Sequence, residues 1–146
     1  MSTPLIQWYP GHIAKAEKQL SKSLEKVDLI IEVRDARIPI ATSHPHLEKW
    51  IFGKKHLLVI NRRDMICTKA FTAWDKWFRE QGQTPWWCDA KSGTGVKQIY
   101  DASIQSGYAI NERRQSRGMR SRPVRALTLG FPNVGKSALI NRLARK

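Results

Sequence analysis

Acidic residues are scarce in this chain of 146 residues. There are 12 Asp plus Glu against 26 Lys plus Arg, a net charge of +14 and a pI near 10.3. Such an excess does not define a fold. It points to a polyanionic partner, with nucleic acid ahead of a merely soluble basic surface. Cysteine is scarcer still. Cys67 and Cys88 form no Cys-x-x-Cys pair and no Cys/His ligand spacing, so a zinc site or metal cluster is not expected. Two reduced thiols in a cytosolic chain are the expected reading. No apolar run approaches the ~18 residues of a membrane helix, so no membrane partner is expected. Met1 to Pro10 lacks the basic-then-apolar pattern of a signal peptide, and the expected location is cytoplasmic, with an organelle as the alternative. Internal repeats and low-complexity tracts are absent. What remains is ordinary: 41% hydrophobic and 26% charged residues, enough for one domain with a core.

The opening segment, Leu5 to His12, reads as irregular because Pro10 and Gly11 interrupt it. Ala16, Leu20 and Leu24 then recur every four residues, as on a helix. Val27–Val33 and Leu57–Ile60 read as strands buried on both faces. A short helix is expected over 45–52 and a longer one over 69–81, where Phe71, Trp74, Trp77 and Phe78 share a face. Pro85–Cys88 reads as a third strand, Val96–Tyr108 as a helix, and Val124–Leu129 as a fourth strand, with a last helix starting near Lys136. Alternating strands and helices predict an α/β fold with a mainly parallel sheet and helices on both faces. The segments are then 1–26 (N-terminal segment and helix), 27–110 (the first three strands with their helices), 111–123 (basic linker) and 124–146 (last strand, the loop after it and the final helix).

The strongest motif is Gly130-Phe131-Pro132-Asn133-Val134-Gly135-Lys136-Ser137, which satisfies G-x-x-x-x-G-K-[ST] between a strand and the helix starting near Lys136, with Ala138 next to it in the expected binding segment. Glycines let the backbone curl so that its N–H groups face phosphate oxygens, and the helix N-terminus adds a favourable dipole. Lys136 can reach the β and γ phosphates, and the Ser137 hydroxyl can ligate Mg²⁺. The phosphate loop should lie at the carboxyl end of the sheet.

Two further turns follow strands. Asn61-Arg62-Arg63-Asp64 is similar to the Asn-Lys-x-Asp with which GTPases read guanine. A carboxylate at Asp64 would accept from guanine N1–H and N2–H₂; adenine would leave it unpaired. Arg62 replaces the usual Lys, and its guanidinium could lie over the purine. The alternative is a polar turn with Asp64 capping the next helix. Asp89-Ala90-Lys91 is similar to the Ser-Ala-Lys loop whose backbone N–H touches guanine O6, with Asp89 in place of Ser; alone it is a common turn.

All three motifs follow strands, but the base-reading turns precede the phosphate loop, an order that marks circularly permuted GTPases. Trp8-Tyr9-Pro10-Gly11-His12-Ile13-Ala14-Lys15-Ala16, Asp35-Ala36-Arg37-Ile38-Pro39 and the run from Gly130 to Asn141 resemble the YlqF/RbgA family of ribosome-assembly GTPases. The resemblance covers nearly the whole chain. It implies a Rossmann-like P-loop GTPase domain, GTP or GDP bound with Mg²⁺, and work on the precursor of the large ribosomal subunit, its rRNA and ribosomal proteins. It implies a part for His12 in hydrolysis, the alternatives for a lone His after a Pro-Gly turn being a structural role or a ribosome contact. It also implies segments beyond Lys146: a Thr-bearing switch, Asp-x-x-Gly, further strands and a helical RNA-binding domain. The chain therefore reads as the N-terminal part of such a protein, with a non-hydrolysing RNA- or ribosome-binding fragment as the alternative. An ATPase is the reading if Arg62 and Asp89 have dismantled the guanine site.

The remaining signals are weaker. Trp74 and Trp77, at i and i+3, read as core rather than a base-stacking platform, while Trp86 and Trp87 point to opposite faces of a strand. His44 and His46 straddle Pro45 without an acidic partner and read as surface or capping residues. Arg113, Arg114, Arg117, Arg120, Arg122 and Arg125 read either as an RNA contact or as a solvated linker.

Overall fold

A computed structural model of the chain describes residues 5–12, 17–43 and 46–144. The 13–16 part of the opening motif and the readings made of His44 and Pro45 lie outside the described residues. The elements are β1 (Ile6–His12), α1 (Glu17–Lys26), β2 (Leu29–Asp35), α2 (Leu47–Ile51), β3 (Lys55–Asn61), a 3-10 turn (Arg63–Met65), α3 (Thr68–Glu80), β4 (Pro85–Trp87), α4 (Val96–Ser116), β5 (Val124–Gly130) and α5 (Lys136–Ala144). The five strands form one parallel sheet in the order β1-β5-β2-β3-β4.

Helices cover both faces, because the strands alternate apolar residues on each side. Leu29, Ile31 and Val33 of β2, with Val59 and Ala126, face α4 and α5 through Val96, Ile99, Leu139 and Leu143. Ile30, Leu127 and Leu129 face α1 and α2 through Leu24 and Leu47. Leu58 and Ile60 meet Phe78 of α3. Phe78 is fully buried, which contributes about 2–3 kcal/mol by area alone. Trp77, at the next helical position, is 39% exposed, so the apolar face of α3 is narrower than its aromatic run suggests. Trp86 packs with the α4–α5 side and Trp87 with the α3 side, and both are half-buried.

Three expectations need correction. The opening segment is a strand, not irregular chain: β1 pairs with β5 from Ile6↔Val124 to His12↔Gly130. Pro10 is compatible with a strand at the end of the sheet order, where among the described residues β1 pairs on one side only, with β5. Secondly, α4 continues to Ser116, so half of the expected basic linker is helix. Nothing breaks the helix between Tyr108 and Ser116, since Asn, Glu, Arg and Gln are all helix-compatible. Only 117–123 connect it to β5. Thirdly, the short helix covers only Leu47–Ile51, and Gly53 at φ +76° ends the turn behind it.

Candidate nucleotide-binding site

The parallel sheet brings the carboxyl ends of β5, β2, β3 and β4 side by side, at Gly130, Asp35, Asn61 and Trp87. The loops leaving these ends enclose a cleft of about 630 Å³, a volume suited to a nucleotide-sized ligand. Its walls include Asn61, Arg62, Asp64, Asp89, Lys91, Asn133 and Gly135 of the phosphate loop, and Ala138 of α5. Segments far apart in sequence thus meet in one place.

The phosphate loop reverses through Asn133 at φ +69° and Gly135 at φ +88°. Gly135 is required twice over, by this left-handed backbone and because a Cβ would overlap the Asn61 side chain. Lys136 opens α5 and turns back so that its Nζ donates to the Gly130 carbonyl at 3.0 Å. It is 8% exposed, and burial holds its pKa below the usual lysine range. Pro132, Asn133, Ser137 and Ala138 lie on the exposed side of the loop and Val134 on the buried side.

Asn61 is the junction of the site. Its Nδ2 donates to the Val134 carbonyl at 2.9 Å, and its Oδ1 accepts from the Ala90 N–H at 2.9 Å and the Cys88 thiol at 3.5 Å. One buried carboxamide therefore ties the end of β3 to both the phosphate loop and the loop after β4. The Ala90 N–H expected to face guanine O6 is bonded to Asn61 instead. The same burial, with the negative charge of Asp89 nearby, pushes the Cys88 thiol up to about 12.

Arg62 is placed differently from its expected position over a purine. Its backbone is left-handed, φ +64°, and its NH1 donates to Asp35 Oδ2 at 2.8 Å. Asp35 also accepts from the Arg37 backbone N–H at 2.9 Å and from the Arg37 guanidinium at 3.1 and 2.8 Å. Burial alone would raise the Asp35 pKa; these hydrogen bonds from Arg37 and Arg62 outweigh it and hold the carboxyl at about 2. A guanidinium that meets a buried carboxylate 27 residues away in sequence follows the ion pair, not the local motif.

Asp64 does not cap the next helix: the N-cap of α3 is Cys67, whose Sγ accepts from the Ala70 N–H. The Asp64 side chain is exposed in the cleft wall, with no hydrogen bond or ion pair among the described residues. Asp89 is bound within its own turn. Hydrogen bonding from Ser92, against slight burial, and from the Lys91 N–H at 3.1 Å keeps its carboxyl below the usual range.

Sequence reasoning assigned no part to Asp35, Arg37 or Arg142. For the first two a signal existed, a strand-terminal Asp followed two residues later by Arg. For Arg142 none did. From α5 it donates to the carbonyls of Ala90, at 3.0 Å, and Lys91, so the helix behind the phosphate loop holds the loop after β4 in place.

This architecture is that of a P-loop GTPase domain in circularly permuted order, with the strand carrying the Asn61–Asp64 turn ahead of the one carrying the phosphate loop. Comparison with known proteins narrows the class. No family model matches the chain. It is 39% identical to Ribosome biogenesis GTPase A of Bacillus cereus over 142 residues, 97% of this chain and 48% of that protein. It is 34% identical to Mitochondrial ribosome-associated GTPase 1 of Bos taurus over 146 residues, 97% of this chain and 42% of that protein. Among solved structures, GNP-bound YlqF from T. maritima superposes with a TM-score of 0.63 at 28% identity, covering 87% of this chain and 46% of that one. The chain spans about half the length of the curated relatives it matches. Over that half it resembles the YlqF/RbgA ribosome-biogenesis GTPases in both sequence and fold.

Proposed function

We propose that this cleft binds GDP or GTP with Mg²⁺, and that the chain serves assembly of the large ribosomal subunit in the cytoplasm, with GTP hydrolysis in complete members of the family. The observation that carries the reading is Asp64, a carboxylate in the cleft wall three residues beyond the Asn61 junction, without a hydrogen-bond or ion-pair partner among the described residues. Guanine offers it two donors, N1–H and N2–H₂, whereas adenine offers none, so base choice falls mainly to Asp64. The likeness to a GNP-bound YlqF supports a guanine nucleotide here. Asn61 shapes the pocket, the backbone of 131–136 receives the phosphates, and Lys136 exchanges the Gly130 carbonyl for phosphate oxygen. The Ser137 hydroxyl, exposed at the start of α5, supplies a ligand to Mg²⁺. His12 ends β1 in register with Gly130, the first residue of the phosphate loop, and we assign it a part in hydrolysis. Relatives named for ribosome biogenesis and for ribosome association support rRNA and ribosomal proteins as partners.

The test is Asp64→Asn. The variant loses the acceptor pair for guanine and gains a donor suited to the C2 oxygen of xanthine. Fluorescent GDP binding, competed by GDP, XDP and ADP, should switch preference from GDP to XDP by at least ~100-fold. An unchanged GDP preference would remove Asp64 from base reading, and displacement of the parent's ligand by ADP would favour an ATPase.

A further inference from the structure

The other end of the sheet, where the strands begin, carries a second feature that the nucleotide cleft does not use. A groove of about 340 Å³ runs between the last turn of α4 and the starts of β2 and β3. Lys54, Lys55, Arg113, Arg114, Arg117 and Arg122 line it. Two carboxylates, Glu25 and Asp28, also face it, but both oxygens of Asp28 are engaged, by the Arg122 guanidinium at 2.7 Å and the Arg125 N–H at 3.1 Å. Among the described residues no hydrogen bond or ion pair engages the side chains of Lys55, Arg113 or Arg117. Some positive charge is expected at a helix C-terminus, where it complements the dipole. Lys54 and Lys55 belong to another element, so the dipole does not account for them.

The groove continues into a second hollow of about 680 Å³ that shares Glu25 and Lys54 with it. At this hollow stands Phe52, 88% exposed and set out from the fold by the turn at Gly53, with Trp50 half-buried beside it. A phenylalanine this exposed gains little from the protein core. Unpaired cations followed by an open aromatic ring are what a single strand of nucleic acid needs, phosphate neutralisation along the groove and a flat face for a base. An acidic polypeptide would use the cations and leave the ring idle.

We propose that this face, remote from the nucleotide cleft, binds single-stranded RNA, with the cations on the backbone and Phe52 stacking on a base. The choice of RNA rests on the ribosome-assembly reading and names a surface for it. The experiment is fluorescence anisotropy with a labelled single-stranded RNA of about 12 nucleotides across a salt series, with GDP binding measured on the same preparations. If Lys54, Lys55, Arg113, Arg114 and Arg117 each neutralise a phosphate, the log–log salt slope is about −3.5. Arg113→Ala/Arg117→Ala should reduce its magnitude by about 1.4. Phe52→Ala should weaken binding about ten-fold with the slope unchanged. Both variants should bind GDP as the parent does. Variants that bind RNA as tightly as the parent would place the RNA elsewhere, overturning the surface while leaving the assembly reading intact. Displacement of RNA by poly-glutamate of equal charge at equal concentration would overturn it in favour of an acidic polypeptide. Absence of RNA binding by the parent at low salt would also overturn it. The assembly reading itself is judged separately, by GTP-dependent co-sedimentation with large-subunit precursors.

Discussion

The Asn61 carboxamide lies between Val134 and Ala90, donating to the carbonyl of one and accepting from the N–H of the other, each at 2.9 Å. The loop that should hold phosphate and the loop that should border the base are thereby set against the same side chain. Asn61→Ala leaves a buried amide and a buried carbonyl without their partner, at a cost of about 3 kcal/mol. Asn61→Asp is not a rescue. Its carboxylate can accept from Ala90, but it meets the Val134 oxygen with no proton to share. Urea unfolding should show both losses, and GDP binding should disappear at concentrations that saturate the parent. A stability change below ~0.5 kcal/mol in Asn61→Ala would mean that the loops hold their positions without it.

Gly135 and Gly118 separate two causes of glycine dependence. Both have positive φ, +88° and +75°. A Cβ at Gly118 meets nothing within 4 Å, whereas one at Gly135 overlaps the Asn61 side chain. Gly118→Ala should therefore cost only the left-handed backbone, about 1 kcal/mol. Gly135→Ala should cost that plus displacement of the Asn61 junction, about 3 kcal/mol or more in total. Denaturant titrations of the two variants measure the difference directly. Equal losses would show that the junction yields without penalty.

The phosphate loop was legible from sequence because its chemistry is local: eight consecutive residues carry the glycines, the lysine and the hydroxyl. Strands β2, β3 and β5 were legible for a similar reason, since apolar runs buried on both faces leave few other readings. What was missed is set by contacts between distant segments. Arg62 is drawn to Asp35, the Ala90 N–H to Asn61, and Arg142 to the loop after β4. No spacing in the sequence encodes these pairings. β1 was hidden because Pro10 and Gly11 argue against a strand, and an edge position removes that objection only once the strand order is known. The end of α4 was misplaced because an arginine-rich tract is equally compatible with a helix and a solvated connection.

Asp35 makes stability depend on pH in a defined window. Its carboxyl is held at about 2, against 3.8 for an unperturbed aspartate, by Arg37 and Arg62. The folded state therefore binds this proton less readily than the unfolded chain. The stabilisation is present in full above the unfolded value and is lost as pH falls from about 4 towards 2. For this buried side chain it amounts to roughly 2 kcal/mol. Glu32 is also lowered, with burial opposed by His56 and Arg34, so the parent loses stability in acid for more than one reason. Comparison with Asp35→Asn isolates one of them. The variant should be less stable than the parent at pH 6, and the gap should close by most of that amount at pH 2. Urea unfolding of both proteins at several pH values gives the gap directly. A gap that stays constant would show that Asp35 contributes through shape and hydrogen bonding alone, and that the ion pairs with Arg37 and Arg62 add no charge-dependent stability to the floor of the cleft.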